Sequence, residues 1–449
     1  MAKPIVTARI LRRLLNSGVY VRAERLLARM HPADLGPLLA DLTPDEIRTV
    51  IDLLFRQHRA ASTLIELPPE LMPTVFDAVT DGRLAEMLDR LEIDDRLELV
   101  SAIPEDRRDG VLELLPPKTR DELRKAELYP ASSAGRVMTT SFIALDEKMT
   151  TQEAIDSIRA ADETDGSILY LYVIDEMRRL RGVVPIRRLV AAPPDASCGD
   201  LTIDVPASVQ PEADQEEVAR LVARYDLLAI PVTDVDGVML GVITVDDVID
   251  VITEEATEDM YHLAGLSEED RVFTTAGLAI RKRLPWMVVN LGAVFTLAAV
   301  IGLFQATLEQ FVALAFFLPV VAGMGGNGGI QTLTVITRGI ALGEIEFSTG
   351  VRAMAKEFAV GAAIGLVVGV LSAGLAYLWH GSMLLGLVLF AAMIVTLAVA
   401  SLLGAAVPLA LKALRQDPAL GAGVIVTTLT DAVAFVSFLG TATLLIDRL

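Results

Sequence analysis

Apolar and polar positions alternate in three different ways along the 449-residue chain. Over residues 1–130, apolar residues recur at three- and four-residue spacing in short stretches: MHPADLGPLLADL, LTPDEIRTVIDLLF, LPPELMPTVFDAV, IPEDRRDGVLELL and LPPKTRDELRKAEL. Each opens on Pro or an acid-rich first turn, as helix starts do, and the spacing predicts an amphipathic helix. Pairs of such helices recurring every roughly 20–30 residues predict a small superhelical array. Residues 138–254 mix strand-length apolar runs with helical ones. From residue 284 onward there are five long apolar runs, roughly 285–305, 311–337, 358–379, 383–411 and 418–446. Each is long enough to cross a bilayer, which takes about 20 residues. Their near lack of internal charge argues against five buried helices of a water-soluble core.

Composition sharpens this division. The chain is 53% apolar and 22% charged, with a formal charge of −20. Residues 1–270 hold 52 of the 59 acids and 29 of the 39 bases, a net −23, and the remainder carries +3. So acidic a front half repels nucleic acid and anionic lipid and attracts cations. A single cysteine, Cys198, excludes a disulfide framework and a Cys-based zinc site, and four scattered histidines argue against a His-rich metal site. The N-terminus, MAKPIVTARILRRLL, lacks the long apolar core of a signal peptide, so the front half is expected in the cytoplasm. Arg281, Lys282 and Arg283 precede the first run, Arg338, Arg352 and Lys356 lie between the second and third, and Lys412 and Arg415 between the fourth and fifth. The other two connections carry no base. The positive-inside rule then places every basic connection and the front half in the cytoplasm, and the C-terminus, Asp447-Arg448-Leu449, outside.

Two features within the runs carry chemistry. Asp431 sits mid-span in VIVTTLTDAVAFVSFL, where a carboxylate is costly and normally faces a cavity or a partner. With no Lys or Arg deep in any run, it is either protonated and hydrogen-bonded, to Thr427 or Thr428 for instance, or visited by a cation. The second feature is Gly-Met-Gly-Gly-Asn-Gly-Gly-Ile-Gln, residues 323–331, after Pro319. It is expected to interrupt the second run, as backbone that is unwound or closely approached and that lines a wet cavity through Asn327, Gly328 and Gln331. The plainer alternative is a small-residue seam for helix packing. Oxygen donors without His or Cys favour a hard cation. One carboxylate per chain is too few for a dry Ca2+ cage and suits Mg2+, which keeps its waters. A homodimer would bring two copies of Asp431 together.

The middle of the chain is duplicated. YVIDEMRRLRGVVPIRRLV (172–190) aligns with PVTDVDGVMLGVITVDDVI (231–249) at an offset of 59, pairing Val173 with Val232, Asp175 with Asp234, Gly182 with Gly241 and Leu189 with Val248. Each copy reads as helix, strand, Asp-bearing turn, strand, helix, the pattern of CBS domains, two of which form one module. Such modules often hold an adenine nucleotide. Thr244-Val-Asp246-Asp247 resembles the Ser/Thr-x-x-Asp element that contacts ribose and phosphate, whereas the first copy has Pro185 and Arg188 there. At most one nucleotide, ATP for instance, is expected per module. Asp246, Asp247, Asp250, Glu254, Glu255, Glu258 and Asp259 follow without an intervening base, and 247, 250, 254 and 258 fall on one helical face. Like charges at that spacing destabilise a helix unless neutralised, so this run is read as a cation-sensing cluster, with Asp214, Glu216, Glu217 and Asp226 nearby in sequence. Asp89, Glu92, Asp94 and Asp95 are read as a solvated face first, and as members of the cluster second.

With PVVAGMGGNGGIQTLTVITRGIALGEI (319–345) and DPALGAGVIVTTLTDAVAF (417–435), the whole chain closely resembles the MgtE family of Mg2+ channels. The fold this implies is a multidomain membrane protein: an α-helical superhelical N-domain (1–130), tandem CBS α/β domains (131–198 and 199–256), a connecting plug helix (257–280) and an all-α five-span transmembrane domain (281–449). The resemblance implies a homodimer in the cytoplasmic membrane, with a pore between subunits built from the second and fifth spans and lined by Asn327, Gly328, Gln331, Thr427 and Thr428. Asp431 matches the aspartate that holds hydrated Mg2+. Asp214, Glu216, Asp226, Asp247, Asp250, Glu255, Glu258 and Asp259 match cytoplasmic acids that bind regulatory Mg2+ and lock the pore shut. Gly423, where many members have Pro, and Ile330, where a polar residue is common, depart from the pattern and are expected to alter the pore entrance. With no P-loop and no hydrolytic constellation, a transporter is expected rather than an enzyme.

Overall fold

The computed structural model describes residues 4–68, 71–160, 170–267, 270, 272, 274–345 and 347–445. The expectation for the C-terminal residues 447–449 falls outside that set. The chain forms two compact units, Met1–Val251 and Ile252–Leu449.

The first unit begins with short helices: α1 (Pro4–Asn16), α2 (Tyr20–Leu27), α3 (Leu35–Leu39), α4 (Pro44–Arg56), α5 (Ala60–Leu64), α6 (Met72–Ala78), α7 (Asp81–Asp89), α8 (Ile93–Ala102), α9 (Glu105–Leu114) and α10 (Pro117–Ala126). Their apolar stripes close over one core that includes Leu11, Leu27, Leu38, Leu54, Phe76 and Leu84. Helix ends leave carbonyls without partners, and a recurring arginine meets them. Arg96 donates to the Leu88 and Leu91 carbonyls (2.8 and 2.6 Å), Arg108 to Ser101 and Ile103 (3.1 Å each), and Arg120 to Glu113 and Leu115 (2.7 and 2.9 Å). These arginines recur every 12 residues, so the repeat is one helix plus its turn, and two of them make the expected pair.

The duplicated region follows as α11 (Ala134–Val137), β1 (Ala144–Asp146), α12 (Thr151–Ala160), β2 (Tyr170–Ile174), β3 (Leu180–Pro185) and α13 (Ile186–Ala191), then α14 (Cys198–Leu201), α15 (Gln215–Tyr225), β4 (Ala229–Thr233), β5 (Met239–Thr244) and α16 (Val245–Leu263). β1 pairs parallel to β2 and β2 antiparallel to β3, while β4 pairs antiparallel to β5. The offset of 59 holds to the atom. Register slips after Val173 and after Val232. Asp175 Oδ1 accepts from the Met177 and Arg179 amides, and Asp234 Oδ1 from Asp236 and Val238. Gly182 and Gly241 match because a Cβ would lie 2.4 Å from the Ile203 carbonyl in one copy and 2.7 Å from that of Thr139 in the other. The hairpin ends join the copies: Leu180 N donates to Gly237 O (2.9 Å) and Met239 N to Arg178 O (3.1 Å).

The second unit is helical: the part of α16 from Ile252, α17 (Ala276–Gly302), α18 (Gln305–Gln310), α19 (Ala313–Ala341), α20 (Phe347–His380), α21 (Met383–Ala413) and α22 (Ala422–Leu444). All but α16 and the short α18 are long and apolar enough to span a membrane, in agreement with the five expected runs. The bases near them lie at the start of α17 and α20 and the end of α19 and α21, which alternation places on one side.

Two expectations are corrected. The glycine patch does not interrupt its span, because α19 is continuous from Ala313 to Ala341. In hydrocarbon an unwound segment loses hydrogen bonds that nothing replaces, whereas a helix keeps them and tolerates glycine where neighbours come close. A Cβ at Gly325 would lie 2.7 Å from Thr396 Cγ2, at Gly328 2.8 Å from Leu397 Cδ2, and at Gly329 2.8 Å from Val426 Cγ1. Across that seam a Cβ at Gly404 would lie 2.4 Å from the Gly329 carbonyl. Close packing of small residues thus accounts for the patch. The single connecting helix expected over 257–280 is also divided. α16 stops at Leu263 because Gly265 takes a left-handed conformation (φ +68°), with Gly265 N on His262 O (3.0 Å) and Leu266 N on Tyr261 O (2.9 Å). The next helix starts at Ala276.

Candidate functional site

In the membrane unit, α22 carries Asp431 half-exposed beside the glycine face of α19, where a Cβ at Gly326 would lie 3.9 Å from Asp431 Oδ1. Among the described residues its carboxylate has no hydrogen-bond or ion-pair partner. The two neighbouring hydroxyls proposed as partners are committed elsewhere: Thr427 Oγ1 donates to the Gly423 carbonyl (2.9 Å) and Thr428 Oγ1 to that of Val424 (2.8 Å). Neither hydroxyl therefore donates to Asp431. Asn327 and Gln331 are exposed on the same helix as the half-buried Gly328. Their amides lie on the α19 face that the helix packing leaves uncovered.

The front unit builds a second acidic site from distant parts of the sequence. Asp94 and Asp95, in the first turn of α8, face Asp247 in the first turn of α16, with Glu92 alongside. Burial, and then the Asp247 charge, pushes the Asp94 carboxyl up to about 8 and that of Asp95 to about 7. Asp247 rises to about 6, chiefly through burial. Asp94 Oδ1 is buried without a hydrogen-bond partner among the described residues. A buried unpartnered oxygen among like charges is costly, and a divalent cation relieves both costs. The chemistry of the donor set, oxygen only and with several negative charges, fits Mg2+.

The remaining expected acids do not form one cluster within the chain. Asp214 caps the start of α15, accepting from the Glu216 amide (2.8 Å), and Asp226 ends that helix in a left-handed conformation. At 1.5 Å per residue they are about 18 Å apart. Asp247 and Asp259 are separated by a similar length of α16. Asp246 and Asp250 are exposed, and Glu255, Glu258 and Asp259 are half-buried. Burial and the charge of Asp417 raise the Asp259 pKa against the opposing pull of Arg338 and His262. At the nucleotide element, Thr244 Oγ1 donates to Asp247 Oδ2 (2.6 Å), so the motif closes on itself at the start of α16. Gly423 packs where a Cβ would lie 2.2 Å from the Leu263 carbonyl, which gives that departure a local reason.

Two groups, His262 with Asp417 and Glu357, were not singled out from sequence, and a third was named only as a second reading. Asp94 and Asp95 were read first as a solvated face. His262 lies 2.6 Å from Asp417 across 155 positions of chain. Glu357, only 6% exposed, accepts from Lys356 Nζ (2.7 Å) and from Thr332 Oγ1 of α19 (3.5 Å). The signal available for Glu357 was an acid flanking a span with a base beside it.

Five membrane-length helices behind a helical array and a CBS pair, with an unpartnered intramembrane acid, define a multi-pass membrane protein of the ion-transporting class. Residues 318–441 match the model of MgtE divalent cation transporters, residues 30–132 that of the MgtE intracellular N domain, and residues 134–195 and 198–254 each that of the CBS domain. A magnesium transporter MgtE of Thermus thermophilus is 34% identical over 97% of this chain and 98% of its own, and one of Bacillus subtilis is 33% identical over 93% and 95%. The chain belongs to the MgtE family, and its N-terminal domains are cytosolic. Among solved structures, the soluble part of a magnesium transporter is similar with a TM-score of 0.53 and 26% identity, covering 57% of this chain and 100% of that one. The cytosolic domain of a Mg2+ channel MgtE in complex with ATP has a TM-score of 0.51 and 35% identity, covering 54% and 99%.

Proposed function

We propose that this chain is a homodimeric Mg2+ channel of the cytoplasmic membrane, importing Mg2+ down the membrane potential and closed by cytosolic Mg2+ bound to its acidic surfaces. The observation that carries the reading is the Asp431 carboxylate, without a partner among the described residues and beside Gly326 of α19, where a Cβ would lie 3.9 Å from its Oδ1. A hydrated divalent ion supplies the missing counter-charge, and Thr427 and Thr428 line its approach. The driving force is sufficient: the potential supplies roughly 2.3 kcal/mol per charge per 100 mV, twice that for Mg2+. The relatives' names support the choice of ion.

Closure follows from electrostatics. In low Mg2+, Asp94, Asp95 and Asp247 repel one another and α8 and α16 separate. In high Mg2+ the ion bridges them, and Asp214, Glu216, Asp226, Asp250, Glu255, Glu258 and Asp259 contribute likewise, two subunits sharing the ions that one chain does not gather. In this reading the functional divisions are residues 1–130, 131–198, 199–256, 257–280 and 281–449, and the C-terminus lies outside. ATP binds beside Thr244 and Asp246 of the second CBS copy, as the ATP complex of a similar cytosolic domain supports. The experiment is growth rescue of cells lacking Mg2+ uptake. The wild-type chain restores growth in low Mg2+ and Asp431→Ala, expressed in the membrane at equal level, does not. Equal rescue by both would overturn the reading.

A further inference from the structure

The last turn of α16 and the loop between α21 and α22 bring together a donor set unlike that of the acidic surfaces. Glu258 and His262, four residues apart, lie side by side on one face of α16. His262 Nδ1 is 2.6 Å from Asp417 Oδ2 and 3.6 Å from Glu258 Oε1. One ligand atom from each of the three residues lies within 4.8 Å of the other two. The side chains are 19%, 35% and 34% exposed for His262, Asp417 and Glu258, which leaves room for an ion to enter without unfolding. The backbone fixes the arrangement: Asp417 Oδ1 accepts from the Ala419 amide (2.8 Å), and the His262 carbonyl accepts from the Gly421 amide (3.0 Å).

We infer that Glu258, His262 and Asp417 form a binding site for a divalent transition metal such as Co2+, Ni2+ or Zn2+, which shares Glu258 with the Mg2+-binding acids and differs from them in its imidazole nitrogen. An imidazole nitrogen suits these borderline ions, whereas Mg2+ takes oxygen and keeps its waters. Bonds of about 2.1 Å place neighbouring ligand atoms about 3.0–3.4 Å apart, so the His262–Asp417 contact opens by a few tenths of an ångström as the ion replaces the shared proton. Two carboxylates balance the ion's charge. The ion ties the end of α16 to the start of α22, the span that bears Asp431. There the Leu263 carbonyl already packs on Gly423 so closely that a Cβ would lie 2.2 Å away. The inference is independent of the transport reading, because it is tested by binding.

The test uses the full chain in detergent, stripped of metal and free of any affinity tag, titrated with Co2+ alone and then with Co2+ in excess Mg2+. The expected result is one Co2+ per chain that survives excess Mg2+, with affinity at least tenfold weaker in His262→Gln and in Asp417→Asn. Pulsed EPR of Cu2+ or X-ray absorption of Co2+ at the wild-type site adds a readout independent of any variant, and shows an imidazole nitrogen among the ligands. Co2+ fully displaced by Mg2+, or retained without a nitrogen ligand, overturns the inference, as does unchanged affinity in a folded His262→Gln.

Discussion

The two acidic sites treat negative charge in opposite ways. In the front unit, Asp94, Asp95 and Asp247 are crowded together with Glu92, and each raises the cost of ionising the others. In the membrane unit Asp431 is solitary, and its neighbours are glycines and hydroxyls turned to their own helix. In the proposed function, crowding makes a site that responds to an ion by changing shape, because occupancy removes a repulsion. In the same reading, isolation makes a site that attracts an ion and lets it leave, because one carboxylate acting through water holds Mg2+ weakly. The scaffolds differ accordingly. The crowded site lies between the first turns of α8 and α16, and the solitary one among the closely packed α19, α21 and α22.

That contrast breaks most severely through packing. Gly404→Val, which changes no charge, drives a Cβ against the Gly329 carbonyl, 2.4 Å away. Overpacking against backbone costs about 3 kcal/mol, and the variant is expected to lose flux and to unfold at lower temperature, read by thermal unfolding in detergent. On the crowded side, Mg2+ at about 100 times its dissociation constant stabilises the wild type by about 2.7 kcal/mol. Asp94→Asn combined with Asp95→Asn is expected to abolish most of that gain while raising metal-free stability, measured by thermal shift with and without Mg2+.

Acidity sharpens the same comparison. Unfolded carboxylates ionise near 4, whereas those of Asp94, Asp95 and Asp247 ionise at about 8, 7 and 6 in the fold. The folded state therefore holds more protons between those limits, and Mg2+-free stability declines as pH rises from about 4 to about 8. Unfolding measured across that range is expected to show a shallower decline in Asp94→Asn. The smallest effect is that of Thr244→Ala, which removes the hydroxyl donated to Asp247 at the start of α16 and costs about 1 kcal/mol of stability.

What was legible in the sequence was whatever repeats or persists locally. The offset of 59 predicted paired strands and turns, and the structure adds matching register slips, because each copy solves the same hairpin problem with Asp175 or Asp234. Long apolar runs predicted the five spans, because hydrocarbon thickness sets a length that composition reveals. The glycine patch was misleading, since five glycines in nine residues are equally consistent with unwound backbone and with a helix that others approach closely. Only the positions of Thr396, Leu397 and Val426 distinguish the two. Asp94 and Asp95 had the pattern of an ordinary surface turn, and their partner Asp247 lies about 150 residues later. His262 and Asp417 were further apart still. Contacts of that separation leave no periodicity to detect.

The account rests on Asp431 as the fixed charge that meets the ion in the membrane. The most direct measurement is Mg2+ flux into proteoliposomes under an imposed potential, comparing the wild type with Asp431→Asn, which keeps shape and removes charge. A loss of flux of a hundredfold or more with an unaltered thermal unfolding profile is the predicted result. Flux in the amide variant within a few-fold of the wild type would contradict the account.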